Sequence, residues 1–265
     1  MITAAMLTDT QINTWLASAW LPFLRIGGAV IAAPLFGSNY VPVRVRLAIA
    51  LLTAGLLIPV LPQAPAINPL GLESILYAAN ELLIGLCLGF LVQLVFEAVV
   101  FAGQTISMGM GLGFAMMVDP QHGSSVPILS QYLLIITLLI FMAMGGHLEF
   151  LALVANSFKI WPVGAAAIGP DALGLVIEWG GEVFKGALQI SLPAVIALLV
   201  VQIGVGVISR AAPTLNLFAV GFPIAILVGY LMLDQLMPAL VPVLKGLVES
   251  AFAAANALLQ GGANG

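Results

Sequence analysis

Charged side chains are scarce in this sequence. Of its 265 residues only 7% are Asp, Glu, Lys or Arg, whereas 62% are hydrophobic. Soluble domains carry about 25% charged residues, so this chain has too few to cover a surface that faces water. The composition excludes an ordinary soluble domain. It predicts an all-α fold: a polytopic membrane protein built from helical hairpins.

Residues that perform chemistry are equally scarce. One cysteine, Cys87, and two histidines provide few ligands for a metal, and a lone cysteine forms no internal disulfide. The sequence contains no nucleotide-binding, metalloprotease or nucleophile-elbow signature, and its Gly-x-Gly repeats lack the full dinucleotide spacing. The net charge is -4, and the sequence contains no run of basic residues. We therefore expect no enzyme activity, no cofactor and no nucleic-acid partner.

Proline- and glycine-rich breaks divide the chain into apolar segments. They run over about 15–36, 47–61, 70–101, 128–144, 183–208 and 215–240. The stretch before Leu24 lacks Lys and Arg, so we expect the first segment to remain in the protein rather than be removed as a signal peptide. The last two segments contain Pro193 and Pro223 and have a short connection, which predicts a tight C-terminal hairpin followed by a short, fraying helix. The basic residues do not settle the orientation of the N-terminus.

A glycine- and methionine-rich stretch near the middle of the chain is the most informative feature. It reads AGQTISMGMGLGFAMMVDP from Ala102 to Pro120 and carries no charge before Asp119. Each glycine costs about 1 kcal/mol in a helix interior, so this density argues against a stable helix. Unwound backbone at membrane depth is tolerated only where protein shields it or a polar cavity adjoins it. We expect the stretch to face a pore or cavity; the alternative is a glycine-rich helix packed closely against its neighbours.

Ionisable residues inside apolar runs are a second set of candidates. Arg25, Glu81 and Glu97 lie within such runs, where a charge is costly and marks either a transport pathway or a paired contact. We favour pairing with another segment or another chain. Gly85 and Gly89 form a GxxxG pair suited to close helix packing. Six amides are expected to form hydrogen bonds between helices, namely Asn80, Gln93, Gln104, Gln131, Gln189 and Gln202.

The order of these motifs resembles one family. It comprises RIGGAVIAAPLFGSNYVPVRVR from Arg25, ELLIGLCLGF from Glu81, the Gly/Met stretch, a GGH tripeptide and RAAPTLNLFAVGFPIAILVG from Arg210. Together they are similar to the R-type export-gate proteins of flagella and their T-type counterparts in injectisomes. The likeness extends from about residue 15 to residue 242. It implies one export-gate domain over 1–265, with a plug loop region at 102–126 and a hairpin at 183–242 similar to a Q-type subunit.

The resemblance implies a location and partners. Members of the family sit in the bacterial inner membrane as multi-pass subunits of the flagellar basal body. They assemble with P-type and Q-type subunits and with a B-type export switch protein, and they pass unfolded flagellar proteins. Membrane lipid is a further contact, and surfaces that look lipid-facing are expected to be covered partly by these subunits. The energy source must lie elsewhere, since this chain has no nucleotide site.

The resemblance also assigns the Gly/Met stretch as the plug that closes the channel. Phe114 is the bulky plug residue that it implies, although the flanking residues alone fit an ordinary packed aromatic ring. The implied plug positions are Met108, Gly109, Met110, Gly111, Gly113, Phe114, Met116, Met117 and Asp119. From the cost of burying charge we expect contacts at Arg25, Glu81, Glu97 and Arg210, with an acidic group of a partner facing Arg25 or Arg210.

Two other functions compete with the export gate. A self-sufficient secondary transporter would use the broken stretch as its ligand site and depend on Glu81 or Glu97. A structural scaffold would nucleate the assembly without controlling passage.

Overall fold

Helices make up the regular structure of this protein. The computed structural model describes residues 9–34, 41–61, 71–113, 127–165, 167–212 and 217–263. In chain order these ranges contain α1 (Asp9–Ala32), α2 (Val43–Leu57), a short 3-10 turn (Ile58–Val60), α3 (Leu72–Gly109), α4 (Ile128–Ala143), α5 (Gly146–Ile160), α6 (Pro170–Trp179), α7 (Gly181–Ala211) and α8 (Leu217–Ala263). No strand occurs within them, so the predicted all-α fold class is confirmed.

Fewer helices reach membrane-spanning length than the apolar segments predict. Among the described residues three stretches are long and apolar enough, namely Glu73–Gly109, Pro170–Ala211 and Val220–Gly261. A fourth is counted if α4 and α5, which meet at a sharp bend, form one broken span. The 15 residues of α2 rise about 22 Å, which is less than the hydrocarbon thickness of about 30 Å. The six apolar segments therefore give three or four candidate spans.

Two helices are longer than the sequence patterns predict. Helix α3 continues through Gly109 instead of ending near Phe101, so the first part of the 102–126 plug region is helical. Helix α8 continues past the expected end of the hairpin at residue 242, and the alanine-rich tail as far as Ala263 is its last part. Prolines lie inside α7 and α8 without dividing either of them. Packing of a helix against neighbouring segments can offset the free-energy cost of the glycines and prolines within it.

The described residues form two compact units, and α3 and α8 contribute to both. The first unit lies within Met1–Gln93, Gly145–Trp179 and Ser250–Gly265. In it α1 crosses α3 so closely that a methyl group added at Gly28 would lie 2.7 Å from the carbonyl oxygen of Leu82. Gly85 and Gly89 of α3 face the backbone of α1 in the same way. The predicted close-packing role of this GxxxG pair is confirmed.

The second unit lies within Leu94–Met144 and Gly180–Glu249. Its core consists of apolar side chains from α3, α4, α7 and α8, namely Val99, Ala102, Ile106, Met110, Leu129, Leu133, Ala187, Ile190, Ala194, Leu198, Ala225, Leu233, Leu236 and Leu240. Phe96 packs edge-on against Phe141, with ring centroids 5.3 Å apart. This core encloses the end of α3 and therefore positions the first part of the Gly/Met stretch.

Candidate functional site

Helix α3 ends in a Schellman motif within the Gly/Met stretch. The amide of Leu112 donates to the carbonyl of Ser107 over 3.0 Å, and the amide of Gly111 donates to the carbonyl of Met108 over 3.0 Å. Gly111 has φ +80°, the left-handed conformation that this motif requires and that glycine adopts without strain. One of the glycines that argued against a helix is thus the residue that ends it.

The α7–α8 hairpin packs against this helix end. The side-chain amide of Gln202 on α7 donates to the carbonyl oxygen of Gly109 over 3.1 Å. On α8 the ring of Phe222 lies 3.1 Å from where a Cβ of Gly111 would stand. The side chain of Met110 is only 1% exposed and fills the space that the missing side chain of Gly229 leaves. The hairpin therefore contacts three consecutive residues of the Gly/Met stretch: Gln202 contacts Gly109, Gly229 makes room for Met110, and Phe222 contacts Gly111.

Two cavities flank the same helix end. One of about 270 Å³ lies beside Gly109 and Gly111 and is lined on the hairpin side by Gln202, Val205, Gly221 and Phe222. A second of about 510 Å³ is lined by Met110 and Leu112 and by residues of α4 and α8, among them Tyr132, Tyr230 and Asp234. The end of α3 therefore has unfilled space on two sides.

The predicted plug residues fall into two groups. Met108, Gly109, Met110, Gly111 and Gly113 belong to the described residues. Met108 is 66% exposed whereas Met110 is buried, so the two methionines at this helix end have different environments. The remaining predicted positions, Phe114, Met116, Met117 and Asp119, lie outside the described residues.

The first unit contains a buried ion pair between α1 and α3. Arg25 and Glu81 are 0% and 1% exposed. The guanidinium Nε donates to one carboxylate oxygen of Glu81 over 2.6 Å, and a terminal nitrogen donates to the other over 2.9 Å. Such two-point pairing of arginine with a carboxylate is the strongest form of this contact.

Three groups of the α5 region complete the surroundings of Arg25. The second terminal nitrogen donates to Ser157 Oγ over 3.2 Å and to the carbonyl of Trp161 over 2.9 Å. The ring of Phe158 stacks under the guanidinium, 4.3 Å from its carbon to the ring centroid. Arg25 therefore ties α1 to α3 and to α5, and its charge is neutralised and hydrogen-bonded inside this chain.

The other two charges expected to be buried have a different environment. Glu97 and Arg210 are both exposed in this chain, because their sides of α3 and α7 do not face the core. The expectation that Arg25 pairs with an acidic group of a partner is wrong, since Glu81 of the same chain supplies the carboxylate. Within the described ranges no group of three His, Cys, Asp or Glu residues is placed to hold a metal ion.

Sequence reasoning missed most of the contacts that surround the end of α3. Gln202 was only one of several amides expected between helices, and neither Phe222 nor Gly229 was singled out. The motif NLFAVGFPIAILVG includes Phe222 and Gly229 and carried the family resemblance, but only the fold shows that both residues face the end of α3.

Long apolar helices and a buried neutralised charge define a polytopic helical membrane protein. The α7–α8 hairpin of the same chain packs against the glycine-capped end of α3. This chain belongs to the family of bacterial export proteins, family 1, whose sequence profile matches residues 16–251. The predicted family resemblance is confirmed.

Curated relatives support the same assignment. The chain is 32% identical over 245 residues to the flagellar biosynthetic protein FliR of Escherichia coli strain K12, covering 92% of this chain and 94% of that protein. It is 33% identical over 240 residues to the protein of the same name from Pectobacterium carotovorum, covering 90% and 91%. The corresponding protein of Bacillus subtilis is 31% identical over 228 residues, covering 85% and 88%.

Proposed function

We propose that this protein is a non-enzymatic subunit of the flagellar type III protein-export channel. It lies in the bacterial inner membrane within the basal body and helps to form the core export gate. Its family, the name of its relatives and its apolar helices support this assignment. In this proposal the energy source belongs to another component, because the sequence contains no nucleotide-binding signature.

The observation that carries the gate proposal is the end of α3. The helix stops at the left-handed Gly111, and Leu112, which packs against the core of the second unit, and Gly113 continue the chain without charge. The residues that follow, Phe114 to Met117, supply the bulky apolar groups of the proposed plug. A segment rooted in a rigid core and free of charge suits a closure that must part for a polypeptide.

The proposed mechanism is steric. In the closed state Phe114 and the methionines fill a narrow apolar constriction, which excludes a substrate chain and disfavours water and ions. Methionine is unbranched and polarizable, so it repacks around different neighbours. An arriving unfolded flagellar protein displaces the segment, and the segment returns after passage.

The exposed surface of α7 supports the partner subunits that the family resemblance implies. Leu192, Ile196, Leu199, Ile203 and Val207 recur on one side of this helix and are 44–67% exposed. An apolar face of this length needs cover from lipid or from another protein. We assign it to P-type and Q-type subunits with lipid at the margin. The B-type switch protein is a further proposed partner.

Deletion of Gly109–Met117 tests the gate. Assembled channels that carry the deletion should leak small ions, because the constriction then lacks its apolar filling. The matched control is Phe114→Leu, which keeps an apolar side chain and should stay closer to the unaltered channel than Phe114→Ala. Assembly is verified by native electrophoresis of the purified complex. An assembled deletion channel that leaks no more than the unaltered one refutes the plug.

The scaffold alternative is favoured by the same exposed apolar face of α7. A pure scaffold predicts that plug variants leave both leak and secretion unchanged, whereas substitutions on that face abolish assembly. The transporter alternative has less support in the structure. Arg25 and Glu81 neutralise each other in the core, so the pair does not offer a free charge for a substrate or ion.

A further inference from the structure

We propose that the α7–α8 hairpin is a latch for the export gate. In this inference Gln202, Phe222 and Gly229 act as positioning residues that hold the root of the plug, Gly109 to Gly111, in its closed position. The latch sets how readily the closed segment parts. It rests on the proposed gate function and goes beyond it, because it assigns control of the gate to the hairpin.

The hydrogen bond from Gln202 is the first component of the latch. The last carbonyl groups of a helix lack partners within the helix. The Schellman motif occupies the carbonyls of Ser107 and Met108, and Met110 donates to the carbonyl of Ile106. The carbonyl of Gly109 comes next, and Gln202 meets it from 93 residues away in the chain. Gln202 lies within the apolar stretch Pro170–Ala211, where few other donors can replace it.

The fit of Met110 against Gly229 is the second component. A Cβ at residue 229 would stand 2.6 Å from both Sδ and Cε of Met110. Any side chain at this position therefore requires the side chain of Met110 to shift. Next to it the ring of Phe222 rests against Gly111 at the point where the backbone turns. The hairpin fixes the side chain of one plug residue and the backbone of its two neighbours.

The 270 Å³ cavity is the third component. It lies between the plug root and the hairpin, and part of its wall consists of Gly206, Gly221 and Ala225. Unfilled space beside a held segment allows that segment to shift without forcing either helix to unfold. The described contacts hold Gly109 to Gly111 in one position, and the cavity gives these residues room to adopt another.

Substitution of Gln202 by Met tests the hydrogen bond. The change keeps the length of the side chain and removes the donor. A hydrogen bond of net value about 0.5–1.5 kcal/mol shifts a two-state equilibrium by about two- to tenfold, so we expect the ion leak of assembled channels to rise by about that factor. Gln189→Met is the matched control: both glutamines are exposed on α7, but Gln189 is not among the residues described as contacting Gly109 to Gly111, so its replacement should leave the leak unchanged.

A double-substitution cycle tests the fit of Met110. Gly229→Ala should raise the leak, and Met110→Ala alone should raise it as well. The double variant should leak no more than Met110→Ala, because the added methyl then has space and the two changes act on one contact. Gly246→Ala on the same helix is the matched control, since no atom lies within 4 Å of its added methyl.

The outcomes separate the latch from the gate. Deletion of Gly109–Met117 is measured in parallel as the reference for an open channel. If the deletion leaks but Gln202→Met and Gly229→Ala remain as tight as their controls, the gate stands and the latch is refuted. Additive effects of Met110→Ala and Gly229→Ala also refute the latch. A deletion channel that assembles without leak removes both proposals.

If Gly229→Ala prevents assembly, the double variant Met110→Ala with Gly229→Ala distinguishes a specific fit between these residues from general packing. Recovery of the complex with Met110→Ala supports a specific fit between the two residues. Failure to recover it shows that Gly229 serves general packing, which contradicts its role in the latch.

Discussion

At the scale of single residues, Arg25 is the group whose position is most completely determined. All three of its nitrogen atoms donate to oxygen atoms of this chain, and an aromatic ring covers one face of the guanidinium. Transfer of two charges out of water is costly, and close geometry with full hydrogen bonding is needed to offset that cost. The pair therefore depends on both members being present.

Glu81→Gln should destabilise the protein strongly. The substitution keeps the shape of the side chain but leaves the charge of Arg25 buried without a counter-charge, which costs about 3–5 kcal/mol when a buried pair loses one member. Thermal unfolding in mild detergent measures the effect. Glu249→Gln is the control, because Glu249 is 67% exposed and lies 3.8 Å from an exposed Lys245. Equal melting temperatures for the two variants would contradict the structural role of the pair.

Sequence alone located these charges but not their geometry. Arg25, Glu81, Glu97 and Arg210 all have apolar neighbours, and this context indicated burial for each of them. The context does not tell which side of its helix a residue occupies: within this chain Glu97 and Arg210 are exposed, and a contact of Arg210 with a partner stays a prediction. The partner of Arg25 lies 56 residues away, a separation that local patterns do not encode.

At the scale of elements, the crossing of α1 and α3 depends on small residues at defined positions. Gly28→Ala should weaken it by about 1–3 kcal/mol, since the added methyl would meet the backbone of Leu82 at 2.7 Å and backbone cannot move aside as a side chain can. The neighbouring Gly27→Ala is the control, because no atom lies within 4 Å of its added methyl. Melting temperatures of the two purified variants give the comparison. A Gly28→Ala protein as stable as Gly27→Ala would show that α1 and α3 tolerate a larger separation at this crossing.

The end of α3 makes a second prediction at this scale. Gly111→Ala should cost about 1–2 kcal/mol from the left-handed backbone alone, with additional crowding from Phe222. Gly113→Ala should be nearly neutral, because its added methyl would meet only Met108 at an ordinary 3.9 Å. Thermal unfolding in detergent distinguishes the two. If both are neutral, the Schellman motif does not fix this helix end.

The extent of the helices was only partly predictable. Strong apolar periods predicted most of the helices, but glycine density suggested that α3 ends before Ala102. Tertiary packing overrides that local cost, since Ala102, Ile106 and Met110 are buried in the core of the second unit. Gly103 also approaches Ser130 of α4 closely, so a residue that weakens the isolated helix strengthens its packing here.

At the scale of the whole molecule, a large apolar surface remains uncovered. The span windows of Pro170–Ala211 and Val220–Gly261 are 22% and 28% buried, compared with 56% for that of Glu73–Gly109. The first two stretches therefore expose more apolar surface than α3 does, and this surface requires cover by lipid or by another protein. The sequence predicted a membrane protein from its composition, but it did not show which helix occupies the interior.

Replacement of Leu199 and Ile203 by Gln should reduce the co-purification of partner subunits. Both side chains lie on the exposed apolar face of α7, at 50% and 67% exposure, and polar groups there are costly to bury in an interface. The tagged chain is purified in mild detergent and its companions are identified by mass spectrometry. Lys185→Gln, on the same helix, is the control and should retain them. Retention of all companions by the double variant would assign this face to lipid.

The long separation between Arg25 and Glu81 has a consequence for biosynthesis. Synthesis at about 5–20 residues per second places the carboxylate roughly 3–11 seconds after the guanidinium, because Glu81 follows Arg25 by 56 positions. An arginine buried without a counter-charge is costly, so the buried position of Arg25 in α1 becomes stable only when α3 supplies Glu81. Packing of the first helix therefore depends on synthesis of the third, and a nascent chain that ends between them lacks the counter-charge of Arg25.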